Sequence, residues 1–113
     1  MMYGTAKDHK TCQSFEASIY MAGDVEQAKQ VARLWCKSHP SCVTVTSTTY
    51  IYRGGEETGF VVSFRNYPRF PSSSTSLIEK SKGLASELLE RLGQDSYMIV
   101  CGDLTEWHTE RQS

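Results

Sequence analysis

Apolar and polar residues alternate from Ser14 to Ala22, with Phe15, Ala17, Ile19 and Met21 on one face and Glu16, Ser18 and Tyr20 on the other. A period of two is that of a half-buried strand, and Gly23 breaks it. The period then lengthens. Ala28, Val31, Ala32 and Trp35 fall on one stripe of a helix. Asp24 is the expected N-cap, with Gln27 at the capping-box position. Lys37 and His39 suit the negative end of the helix dipole, and Pro40 prevents continuation.

A second strand is expected from Ser41 or Cys42. Val43, Val45 and Ile51 share one parity, and Thr44, Thr46, Tyr50 and Tyr52 the other. The run of threonines favours strand over helix. A third strand is expected from about Thr58 to Arg65, with Phe60, Val62 and Phe64 inward and Val61, Ser63 and Arg65 outward. The intervening RGGEETG is longer than a two-residue turn and reads as a projecting acidic loop. NYPRFPSSS, from Asn66 to Ser74, is neither helix nor central strand, because each proline removes a donor and extends the residue before it. Tyr67 and Phe70 are its anchors or its display.

A second helix is expected from Ser76, with Glu79 completing a capping box. Leu77, Ser81, Leu84, Ala85, Leu88 and Leu92 form its inward face, and Gly93 is a natural stop. Ser96–Cys101 contains the run YMIVC and reads as a central strand. After Gly102 the tail is polar except for Leu104 and Trp107, fit for an edge strand or a cap. The order β-α-β-β-α-β predicts an α+β fold: a ferredoxin-like sandwich with a four-stranded antiparallel sheet and both helices on one face. The chain reads as a single domain over 1–113, with a polar tail over 1–11, a core over 12–102 and a C-terminal tail over 103–113.

Such a sandwich leaves one sheet face uncovered. Parity assigns to it Glu16, Ser18, Tyr20, Thr44, Thr46, Tyr50, Tyr52, Ser63 and Arg65. A half-exposed strand face favours tyrosine and threonine without any further reason. Tyr and Arg also carry interface hot spots, and exposed rings can stack on single-stranded bases. RNA-recognition motifs share the topology, and GFVVSFRNY faintly echoes their glycine-aromatic signature.

Composition narrows these readings. The chain has 113 residues and a net charge of −1, from 12 Lys/Arg against 13 Asp/Glu. A general nucleic-acid binder ordinarily has a basic excess, so the protein-binding reading leads and the nucleic-acid reading follows. No apolar run is long enough for a bilayer or a signal peptide. The expected compartment is the cytosol, where the four cysteines Cys12, Cys36, Cys42 and Cys101 stay reduced.

Catalytic motifs are weak. Cys36, His39 and Cys42 have metal-like spacing, and His9 and Cys12 could complete a ligand set. Free cysteines are however commonly buried as small hydrophobes, so the expectation is no metal, no cofactor and no catalytic residue. His39 or His108 could activate a cysteine only if the fold brought them together. Gly54-Gly55 lacks any phosphate-loop pattern and is followed by two acidic residues.

YIYRGGEETGF followed by FRNYPRFP resembles segments of small bacteriophage or prophage proteins. The resemblance implies a phage accessory protein acting inside a bacterium. It further implies a non-enzymatic inhibitor or adaptor that binds a host protein or protein–nucleic-acid complex, CRISPR or other defence complexes included. The expected partner-binding residues are Tyr50, Tyr52, Arg53, Glu56, Glu57, Arg65, Tyr67, Arg69 and Phe70. A homodimer through the open sheet face is the other expected association.

Overall fold

A computed structural model describes residues 9–111. The polar tail expected at the start of the chain lies outside the described residues over 1–8. The elements are β1 (Glu16–Ala22), α1 (Val25–Ser38), β2 (Val43–Tyr52), β3 (Gly55–Arg65), α2 (Ser74–Leu92), β4 (Ser96–Cys101) and β5 (Leu104–Thr109). They form one antiparallel sheet in the order β2-β3-β1-β4-β5. The inner arrangement is the expected ferredoxin-like βαββαβ. The sheet is five-stranded rather than four-stranded, because Gly102 (φ 58°) turns the chain back and Leu104–Thr109 pairs along β4. That pairing satisfies an edge that would otherwise stand open.

Asp24 caps α1 by accepting from the Gln27 amide at 2.9 Å, and its stripe buries Ala28, Val31, Ala32 and Trp35. The second helix starts two residues before the expected Ser76. Ser73 is the cap and accepts from the Ser76 amide at 3.1 Å, so Glu79 takes no part in the cap. Gly93 ends α2 in the left-handed conformation (φ 66°). Both helices cover one sheet face. Ile19, Phe60, Val62, Phe64, Leu84, Leu88 and Ile99 are fully buried between the layers. Burying each large side chain stabilises the fold by about 1.5–3 kcal/mol.

The main departure from expectation is the hairpin. RGGEETG is not a loop: the turn is Arg53-Gly54 alone, and Gly55 to Thr58 continue β3 opposite β2. Gly54 (φ 91°) supplies the positive φ that a two-residue turn can use. β1 pairs with β3 only from Glu16–Arg65 to Ala22–Gly59. Beyond Gly59, β2 and β3 therefore run on as a two-stranded ribbon. The molecule is accordingly long, 60 × 29 × 26 Å with a radius of gyration of 16.3 Å, against about 13 Å for a compact domain of 100 residues.

A candidate active-site cleft on the open sheet face

The face opposite the helices presents one register row across all five strands: Thr46, Val61, Tyr20, Met98 and Trp107. Beside it lies a row of small polar residues. Ser18 and Ser63 are opposite each other, buried, and share a hydrogen bond of 2.8 Å. At one end of the strands an open cleft of about 310 Å³ is lined by Tyr20, Tyr50, Glu57, Met98, Trp107 and Arg111, among others.

Tyr50 and Glu57 are direct cross-strand partners at the base of the ribbon. Tyr50 can lie flat there because Gly59 is two positions along on the facing strand. A Cβ on Gly59 would collide with the Tyr50 ring and stand 2.5 Å from the Met21 carbonyl oxygen. The Tyr50 hydroxyl lies 3.5 Å from that oxygen and 3.4 Å from the Phe60 carbonyl. Burial raises its pKa above the usual tyrosine value, and the nearby Tyr20 and the Glu57 carboxylate push the same way. Tyr50 is thus a neutral hydroxyl at physiological pH. At the rim, the Arg111 Nε donates to Asp95 Oδ2 at 3.0 Å. That bond holds the Asp95 carboxyl below the usual carboxylate range. Trp107 is 65% exposed and offers an open ring. The cleft therefore combines aromatic surface, a carboxylate and a guanidinium.

The residues expected to bind a partner do not form one surface. Tyr50 and Glu57 meet in the cleft. Tyr52, Arg53 and Glu56 stand farther out on the ribbon, where Glu56 faces Ile51 across the ladder. Arg65 is at the other end of β3, 3.4 Å from Glu16. Tyr67, Arg69 and Phe70 belong to a turn beyond it. Glu56 and Glu57 form no acidic loop tip: they are consecutive strand residues and face opposite sides of the ribbon.

The other constellations are also not assembled. The His39 ring stacks on Trp35 at 4.2 Å, with Nδ1 3.1 Å from the Trp35 carbonyl. No group of three potential metal ligands is brought together among the described residues. His108 stacks on Tyr97 and contacts Glu110 at 2.7 Å. No motif in the sequence marks Trp107, Met98 or Arg111 as site residues. The alternation in LTEWHT, which places Thr105, Trp107 and Thr109 on one face, is the signal that could have found Trp107. No described helix is long and apolar enough to cross a membrane.

No protein-family model and no curated protein matches the chain. Solved structures do. A phage SAM lyase in its apo state superposes with a TM-score of 0.68 at 16% identity, covering 88% of this chain and 91% of that one. A phage SAM lyase in complex with S-methyl-5'-thioadenosine superposes equally well, at 0.68 and 14% identity, covering 96% and 99%. The periplasmic divalent cation tolerance protein CutA from Archaeoglobus fulgidus gives a TM-score of 0.48 at 16% identity over 89% and 88%, too loose a match to bear on this chain.

The chain shares its fold with these phage SAM lyase structures. At these identities the likeness is one of fold, and it assigns no family. These neighbours are phage proteins, as are those that the central segment resembles. The likeness overturns the expectation of a non-enzymatic inhibitor, because nearly the whole chain, not one binding segment, follows the architecture of an enzyme. The reading as a CRISPR or host-defence blocker falls with that expectation.

Proposed function

We propose that this protein is a lyase that acts on S-adenosylmethionine and releases S-methyl-5'-thioadenosine, using the open-face cleft. The observation that carries the reading is the Tyr50–Glu57 pair set beside Trp107 and Met98 in one cleft. It is supported by the end-to-end fold likeness to a lyase that has been solved with that product.

Release of S-methyl-5'-thioadenosine breaks the bond between the sulfonium sulfur and the terminal carbon of the aminobutyrate chain, while the substrate's own carboxylate bonds to that carbon and closes a lactone as the second product. The electron pair stays on sulfur, which becomes a neutral thioether. No general acid is needed for the leaving group. Positive charge moves from sulfur toward the departing carbon in the transition state, so the site should be apolar at sulfur and anionic at that carbon. Trp107 and Met98 suit the first role, and a ring there also stacks on the purine or holds the cation. Glu57 suits the second. Tyr50, held neutral, is a fixed hydroxyl donor. Arg111 at the rim suits the substrate carboxylate.

The same reading gives the ribbon a role. An isolated two-stranded hairpin is marginally stable in water, yet this one carries Ile51, 78% exposed, and Tyr52, 55% exposed. The ribbon of one copy is assigned to the open face of a second, where it would close the cleft. Light scattering should then give a homo-oligomer, and Ile51→Asp should dissociate it.

The deciding experiment is incubation of purified protein with S-adenosylmethionine and mass-spectrometric detection of S-methyl-5'-thioadenosine. Glu57→Gln should lower the rate by about 100-fold, in the range by which a single positioned acid–base or electrostatic group contributes, with the Tm unchanged. Folded wild-type protein that forms no S-methyl-5'-thioadenosine would overturn the proposal.

A further inference from the structure

A second cleft lies at the other end of the strands, against the helix layer. It measures about 410 Å³, within the ordinary range for small-molecule sites. Phe64, Phe70 and Leu77 give it apolar walls, and Lys80 and Arg65 lie in its lining, with no carboxylate side chain among the described lining residues. Arg65 is engaged by Glu16 at 3.4 Å. Lys80 is the cation with donors to spare: Nζ gives one proton to the Pro40 carbonyl at 3.2 Å, and an ammonium has three.

Ser41 lines the same cleft, but its hydroxyl is sealed from solvent and has no hydrogen-bond partner among the described residues. A water-sized atom does not reach it, so it anchors no ligand, and an unsatisfied buried hydroxyl costs the fold roughly 1–3 kcal/mol. Tyr67 also borders the cleft, and the Cys42 thiol beside it raises the Tyr67 pKa, so its hydroxyl remains a donor. The wall is fixed in place. The Asn66 side chain donates to the Gln13 carbonyl at 2.7 Å and accepts from the Ser72 amide at 2.8 Å. The Phe70 amide closes the turn on the Tyr67 carbonyl at 3.0 Å. The surroundings are donors and cations above an apolar floor.

We infer that this cleft binds a small organic carboxylate with an aromatic or branched aliphatic tail, its charge against Lys80 and its tail against Phe64, Phe70 and Leu77. The inference does not rest on the lyase reading, since the two clefts share no residue.

The test is a proton–nitrogen NMR titration of the full chain with phenylacetate, its neutral analogue phenylacetamide, and inorganic phosphate. Phenylacetate should shift the amides of Cys42, Tyr67 and Ser72 and bind at least about tenfold more tightly than phenylacetamide. Ser41→Ala should leave phenylacetate binding within about twofold and Tm unchanged or raised, because the substitution removes an orphaned hydroxyl that the ligand does not touch. Lys80→Met, or Lys80→Gln if the first does not fold, should erase the preference for acid over amide. The inference is overturned by no shifts at these amides, by equal binding of acid and amide, or by phosphate binding as well as phenylacetate.

Discussion

Gly59 is where the cleft and the fold constrain each other, and Gly59→Ala tests both. The added methyl would meet the Tyr50 ring on one side and the Met21 carbonyl oxygen, at 2.5 Å, on the other. The ring can swing away. The carbonyl cannot move cheaply, because Met21 and Phe60 are paired in the β1–β3 ladder. Overpacking of this kind costs about 1–3 kcal/mol. For a domain of this size that is a fall in Tm of about 4–12 °C. Gly83→Ala is the internal control. Gly83 sits in mid-helix on α2, and its added methyl would approach only Trp35, at an ordinary 3.7 Å. There the change should stabilise the protein by roughly 0.5–1 kcal/mol. Thermal unfolding by circular dichroism reads both. Opposite signs are expected from the same substitution, with product formation lost only in Gly59→Ala. A Gly59→Ala protein that melts within a degree or so of wild type would refute the packing argument.

Asp95 has a depressed pKa in the folded state, owed first to its bond from Arg111. Its contribution is present above the unfolded carboxylate pKa and is lost as pH falls through the lower folded value. The Tm difference between wild type and Arg111→Ala should therefore narrow below about pH 4; a constant difference down to the lowest pH would contradict this. Among the thiols, burial raises the pKa of Cys36 and Cys101, whereas Cys42 is exposed. A disulfide reagent at neutral pH should show a fast phase that Cys42→Ser removes, and its persistence in that variant would place the reactive thiol elsewhere.

The helices and inner strands were legible because their signals are local. Asp24 announces its cap, Pro40 and Gly93 their stops, and Phe60, Val62 and Phe64 their face. The hairpin is not legible in this way, because composition does not fix its geometry. RGGEETG looks like loop chemistry, but a two-residue turn at Arg53-Gly54 lets Glu56 and Glu57 pair with Ile51 and Tyr50. The fifth strand is ambiguous in sequence between strand and cap because its apolar residues are few. Only the pairing partner β4 makes LTEWHT a strand. With β5 in place, Trp107 joins the row that begins at Thr46, and a tail residue becomes part of the cleft.

Why no catalytic motif signalled an enzyme follows from the proposed chemistry. Motifs mark reactions that need an activated nucleophile, a metal or a proton donor at fixed spacing. In the proposed reaction a sulfonium leaves as a neutral thioether and the substrate's own carboxylate, already anionic, displaces it, so none of these is asked of the protein. The protein need only hold the substrate in the closing geometry, keep water from the attacked carbon and place charge beside it. Those tasks fall to residues that are unremarkable one at a time: a tyrosine over a glycine, a glutamate across the ladder, a tryptophan on an added strand. They come from β2, β3 and β5, far apart in sequence, and share a cleft only through register. A sequence motif would have to span Tyr50 to Trp107 to record them.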